Sequence, residues 1–195
     1  GMRPNRATLV YCNRVRELWK DVSLIIGGIE ASLRRVAHYD YWSDDVRRSL
    51  LIDSRADLLI YGMAEKPLES VARMLSEGVP VSDIRGVRGT CWKTHVREDA
   101  SDAVELPSFD AVCRDKRAFA EAFRLFSLEQ DALSGKQLVQ DQGAWFLVQN
   151  PPSPPLTVEE MDAVYALPYM RSIHPSHEKE GVPAFDEVAF SLVSQ

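Results

Sequence analysis

The sequence predicts an α/β protein: a partial, doubly wound parallel sheet, followed by a helix, a β-hairpin and a linker that leads into a final strand. Three observations carry that expectation. "VSLIIGG" at residues 22–28 and "DLLIYG" at 57–62 are short, continuous apolar runs closed by glycine, the pattern of strands buried on both faces of a parallel sheet. Apolar residues at helical spacing lie between and after them, as a strand–helix–strand unit requires. "NPPSPPL" at 150–156 then sets four of the chain's eleven prolines within five residues, a stiff, extended strap between modules.

The elements follow in order. Leu9, Val10, Cys12, Val15, Leu18 and Trp19 form the apolar side of a helix over 6–19. Between the two strands, Ser43 caps a helix with Asp44 and Asp45 in its first turn and Val46, Leu50 and Leu51 inward. Another helix starts near Pro67 and buries Leu68, Val71, Ala72 and Leu75. "VSDIRGVRGTCWKTH" reads as a short irregular or edge strand, and a helix over 110–128 points Val112, Phe119, Phe123 and Phe126 inward. "KQLVQDQGAWFLVQN" is a hairpin of 138–140 and 144–149. Thr157 and Glu160 make a capping box, and "DEVAFSLVSQ" is a closing strand. These elements divide the chain into an α/β segment over 1–100, a helix-plus-hairpin extension over 101–150, and a linker, short helix and strand over 151–195. Two buried parallel strands are too few for a sheet covered on both faces, so the chain is expected to be a segment of a longer protein, cut through structure at both ends.

Bulk chemistry narrows the function. With 23 Lys and Arg against 29 Asp and Glu the net charge is −6, which provides no electrostatic footprint for nucleic acid or an anionic membrane. No apolar run reaches the ~20 residues of a membrane span, and the cytoplasm is the expected compartment. Cys12, Cys91 and Cys113 are odd in number and widely spaced, matching neither a disulfide framework nor a metal knuckle. His174 and His177 near Glu178 resemble half a metal site, with no third ligand of clear spacing.

The chemistry-bearing residues concentrate in "GGIEASLRRVAHYDYWSDD", residues 27–45. Residues 27–42 read as a loop of about 16 residues after a strand, where about 2 to 6 are usual, at the end of the sheet where α/β proteins keep ligands. Gly27 and Gly28 serve either a tight turn or a close approach to a ligand. No phosphate-cradling glycine fingerprint is present. Two readings of the charges stay open. Glu30, Arg34, Arg35, Asp40, Asp44, Asp45, Arg47 and Arg48 cancel, as in a salt-bridged, aromatic-packed loop docked on a neighbouring domain. Alternatively Arg34 or Arg35 binds a carboxylate or phosphate while Tyr39, Tyr41 and Trp42 wall off the site. His38 has the pKa for acid–base work but no partner nucleophile. No catalytic residue and no metal ligand is assigned.

The strings "GGIEASLRRVAHYDYWSDDVRRSLLIDSRADLLIYGMAEK", "LVQNPPSPPLTVEEMDAVYALPYMRSIHPSH" and "PAFDEVAFSLVSQ" together resemble the YgiQ family of uncharacterised radical S-adenosylmethionine proteins over nearly the whole chain. The resemblance implies an accessory N-terminal region that is inactive alone and shapes or covers the active site of its partner, the C-terminal radical SAM barrel of the same polypeptide. It implies a 4Fe-4S cluster and S-adenosylmethionine in the full-length protein. Residues 190–195 are similar to the first barrel strand, with the cluster-binding C-x3-C-x2-C loop expected directly after it rather than at Cys12, Cys91 or Cys113. Residues 22–89 are similar to the second half of a cobalamin-binding-like domain, through Gly27, Gly28, Asp57, Gly62 to Glu65, and Ile84 to Gly86. The D-x-H-x-x-G motif that supplies a histidine to cobalt is absent, so the resemblance implies that fold rather than cobalamin itself. The alternatives are a cobalamin-like or other small-ligand module, and a docking module for a protein or RNA partner.

Overall fold

The computed structural model describes residues 4–97 and 102–189. It divides into two units, residues 1–155 and 156–195. In chain order the first unit contains α1 (Ala7–Leu18), β1 (Ile25–Ile26), α2 (Gly28–Leu33), β2 (His38–Asp40), β3 (Asp45–Arg47), α3 (Leu50–Asp53), β4 (Leu58–Ile60), α4 (Glu65–Ser76), β5 (Thr90–Thr94), β6 (Val104–Leu106), α5 (Phe109–Arg114), α6 (Lys116–Leu128), β7 (Leu138–Asp141) and β8 (Phe146–Gln149).

The main sheet has six strands in the order β1-β4-β5-β8-β7-β6. Alternate residues divide the core. Leu59, Tyr61, Cys91 and Leu147 face one side, where Cys12 of α1, Ala31 of α2 and Leu50 to Ile52 of α3 cover them. Leu58, Ile60, Trp92 and Val148 face the other, against Val71 of α4 and Ile84. A sheet covered on both faces is the α/β arrangement that the two apolar runs predict.

The doubly wound parallel sheet is corrected. Only β1–β4 and β6–β7 run parallel, whereas β4–β5, β5–β8 and β7–β8 are antiparallel. The reason is that a strand buried on both faces carries the same apolar run whichever way its neighbour points. β5 is not an edge strand but lies between β4 and β8, with Thr90, Cys91 and Trp92 buried. Its polar residues misled the sequence reading: Lys93 threads its stem inward and donates from Nζ to the Ala56 carbonyl at 2.5 Å. The helix expected over 110–128 breaks at Asp115, which ends α5 and caps α6 by accepting from Arg117 N at 2.8 Å.

The expected long loop and Ser43-capped helix are also replaced. Residues 28–33 are helical, and β2 and β3 form a separate antiparallel hairpin, pairing His38 with Arg47 and Asp40 with Asp45. Ser43 sits in the turn, donating to Asp40 Oδ2 at 2.8 Å, and Asp44 takes the left-handed backbone with φ of 52°. The helical cap belongs to Ser49, whose side chain accepts from Leu51 N at the start of α3.

Gly89 joins three segments. Its carbonyl accepts from Tyr61 N and its amide donates to Pro151 O, both at 2.8 Å. Its φ is +76°, and an added Cβ would meet Pro67 Cγ at 2.9 Å and Ser153 Cβ at 3.2 Å. Gly89→Ala therefore combines left-handed strain with overpacking, and is expected to lower stability by about 1 to 2 kcal/mol. Urea unfolding checks this, and an unchanged midpoint would contradict it.

The second unit contains α7 (Val158–Tyr165), a 3-10 turn at Pro175–His177 and α8 (Pro183–Val188). The capping box is present: Glu160 N donates to Thr157 Oγ1 at 3.2 Å and Thr157 N to Glu160 Oε2 at 2.8 Å. α8 occupies the start of the expected closing strand, because Pro183 at its first turn favours helix. Residues 190–195 of that strand lie outside the described residues. None of residues 156–189 is buried.

Candidate functional site

The glycine pair turns a strand directly into a helix. Gly27 is extended, and a Cβ there would sit 3.3 Å from the Ile60 carbonyl, so β4 passes close by. Gly28, with φ of +82°, takes the backbone region that side chains disfavour. Of the two uses open to this pair, the backbone geometry matches the tight turn.

Beyond the turn the charged residues pair internally. Glu30 Oε2 accepts from Thr8 N at 3.1 Å and from Thr8 Oγ1 at 2.6 Å, capping α1 from a distant part of the chain. Arg6, the residue at the N-cap of α1, supplies no side-chain cap of its own, so the Glu30 carboxylate takes that place. Arg34 Nη1 donates to Glu30 Oε1 at 3.0 Å, and its Nη2 lies 3.9 Å from Asp40 Oδ1. Asp40, with a fully buried side chain, also takes Arg6 and the Ser43 hydroxyl. The hydrogen bond from Arg6, joined by Ser43, holds the Asp40 carboxyl down at about 2, against an ordinary 3.8.

Arg35 points into the core and is 7% exposed. Nε donates to Gln149 Oε1 at 2.9 Å, Nη2 to Gln130 Oε1 at 2.6 Å, and Nη1 to the Ser32 carbonyl. Tyr61 and Phe126 sandwich its guanidinium, each ring centroid 4.4 Å away. Burial lowers its pKa and pushes that of the Tyr61 hydroxyl up. His38 places Nδ1 3.1 Å from the Val36 carbonyl, a contact that makes Nδ1 the donor, and burial lowers its pKa.

The β7–β8 hairpin supplies residues that sequence reasoning missed. Gln140 Oε1 accepts from Ala37 N at 2.9 Å and from Gln142 Nε2 at 2.8 Å. Gln142 Oε1 accepts from Ser49 N at 2.9 Å, and Ser49 Oγ donates to Arg35 O at 2.7 Å. All three residues are buried, so the hairpin amides hold the stretch from Arg35 to Ser49 in place. The available signal was "LVQDQ", where glutamines alternate on what should be a buried strand.

What remains exposed is apolar and aromatic. Ile29 is 79% exposed, Leu33 72%, Tyr41 67% and Trp42 59%. Tyr41 and Trp42 stack at 4.9 Å, and the Tyr39 hydroxyl donates to Asp44 Oδ1 at 2.7 Å. Beside them Leu33, Val36, Tyr39, Phe119, Phe123 and Phe126 line an apolar groove of about 240 Å3. Of the three aromatics, Trp42 lines a pocket together with Arg34, Glu30 and Ile29, whereas Tyr39 lines the apolar groove.

The cysteines do not fit an iron–sulfur cluster. Cys12 lies on α1, Cys91 pairs with Leu59 and Gln149 inside the sheet, and Cys113 lies on α5. Burial pushes the Cys91 thiol up to about 12, the reverse of what a thiolate ligand needs. Among the described residues no three His, Cys, Asp or Glu side chains gather as a metal site, and no helix is long and apolar enough to cross a membrane. His174 instead accepts from Ser176 N through Nδ1 at 3.2 Å.

The fold is thus an α/β scaffold with its charges paired inward and aromatic side chains left outward. The chain belongs to the radical SAM N-terminal family, whose sequence pattern matches residues 1–191. A UPF0313 protein of Clostridium botulinum (strain ATCC 19397 / Type A) is 54% identical over 198 residues, which are 100% of this chain and 30% of that protein. A UPF0313 protein of Methanocella arvoryzae is 54% identical over 193 residues, 99% of this chain and 32% of the relative. Another from Clostridium perfringens (strain SM101 / Type A) is 52% identical over 196 residues, 100% and 30% respectively. The chain thus spans about a third of the length of these relatives. No solved structure matches it. The cobalamin-binding-like likeness therefore has no structural neighbour behind it.

Proposed function

We propose that this chain is the non-catalytic N-terminal domain of a radical S-adenosylmethionine iron–sulfur enzyme and docks on the remainder of that polypeptide through the face formed by α2 and the β2–β3 hairpin. One observation carries the reading: Ile29, Leu33, Tyr41 and Trp42 remain largely exposed together, although Glu30, Arg34, Arg35 and Asp40 around them are committed inside the domain. Contiguous exposed apolar surface of this kind marks an interface. The family match and the greater length of the relatives support the downstream barrel as the occupant. That barrel, with ligands outside this chain, holds the 4Fe-4S cluster and S-adenosylmethionine. The cluster bound to S-adenosylmethionine supplies the radical chemistry; the present residues contribute surface.

The test is limited proteolysis of the full-length polypeptide carrying Leu33→Asp and Trp42→Asp. Both side chains are solvent-exposed in the domain, so its own fold persists. The variant is expected to release the N-terminal domain at protease concentrations that leave the wild type whole, with iron content unchanged. Identical digestion of the two proteins would refute the docking face.

A further inference from the structure

A second feature of this domain is a cleft that borders α2 at Ser32 and is lined by neither Tyr41 nor Trp42. The chain leaving β4, at Tyr61, Gly62 and Met63, and the chain leaving β8, at Pro152 and Ser153, enclose a cleft of about 400 Å3 with Ser32, Arg35 and Gln130. This volume is within the range of small-molecule sites, at the strand ends where α/β sheets place ligands. No Asp or Glu lines it.

Arg35 is unusual among the arginines here because it is buried without a carboxylate: among the described residues no ion pair includes it, and its three partners are two amide oxygens and a carbonyl. A buried cation is ordinarily paired. A guanidinium has five N–H donors, of which three are committed here, leaving two. The Tyr61 and Phe126 rings hold its plane fixed, so the remaining donors are preorganised. Arg88 adds a second cation behind the wall, donating from Nε to Pro152 O at 3.0 Å and from Nη2 to Ala132 O, again with no carboxylate among the described residues.

We infer that this cleft binds a small oxyanion, a carboxylate or phosphate group of a free ligand, at the uncommitted N–H donors of Arg35. The planar fork of arginine matches both groups. The Ser32 hydroxyl, which lines the pocket and accepts from Gly62 N at 3.2 Å, can still donate to the ligand's remaining polar atoms. The inference does not depend on the docking face, since neither Trp42 nor Tyr41 lines the cleft.

Isothermal titration of the full-length polypeptide with inorganic phosphate and, separately, with succinate, at constant ionic strength, tests it. Saturable binding of either supports the site; phosphate alone identifies a phosphoryl ligand, and succinate alone a carboxylate. Gln130→Glu places a carboxylate where the amide oxygen now accepts from Arg35, and gives up the bond that Gln130 Nε2 donates to the Phe126 carbonyl at 2.7 Å. It is expected to weaken binding by about tenfold or more. Arg35→Lys, which keeps the charge and loses the fork, is expected to weaken binding comparably. No saturable binding of either anion, or unchanged affinity in Gln130→Glu, overturns the proposal.

Discussion

Arg35→Ala is expected to lower the unfolding free energy by about 3 to 4 kcal/mol, among the largest effects of any single substitution in the 27–45 stretch. The loss has several parts. Two ring stacks disappear, a buried cavity opens between Tyr61 and Phe126, and Gln149 Oε1 is left buried without its donor. Arg34→Ala, one residue away, removes a half-buried pair with Glu30 and a 3.9 Å contact with Asp40, and is expected to cost about 1 kcal/mol. Denaturant unfolding of the two variants side by side checks the contrast, and equal midpoints would sink the assignment of Arg35 to the core.

Asp40→Asn is expected to cost about 2 to 3 kcal/mol at neutral pH and progressively less in acid. Its carboxyl titrates at about 2 in the folded protein against an ordinary 3.8. A carboxyl with a depressed folded pKa contributes stability that is fully present above the unfolded value and lost as pH falls through the folded one. The gap between wild type and Asp40→Asn should therefore be constant from neutrality to just above 4, then narrow toward pH 2. Urea unfolding across that interval measures it. A gap that stays constant down to pH 2 would contradict the Arg6–Asp40–Ser43 cluster as its source.

Local patterns recovered many elements because their signals are local. α1 follows from apolar spacing, β4 from its uninterrupted apolar run, the β7–β8 hairpin from two strand-like segments around Gly143, and the α7 cap from Thr157 and Glu160; α4 forms where expected but buries Pro67 and Val71, leaving Leu68, Ala72 and Leu75 exposed. The β2–β3 hairpin was illegible: its turn places Asp44, not glycine, at positive φ, and "HYD" carries no apolar alternation. Neither the Pro-rich strap nor the 27–45 stretch required tertiary knowledge to be singled out as unusual.

The roles within that stretch did. Arg34 and Arg35 are chemically identical in sequence, yet adjacent residues at a helix end point in different directions, so one pairs at the rim and the other enters the core. Their fates depend on Asp40, Gln130 and Gln149, up to 114 positions away. The sequence by itself determined the α/β class, the family and the location of the chemistry-bearing residues, because apolar periodicity, turn residues and motif identity are written in neighbouring positions. Strand direction, the inward commitment of the charges and the cleft beside Arg35 were decided only by the tertiary structure, because each rests on contacts between segments that no local pattern links.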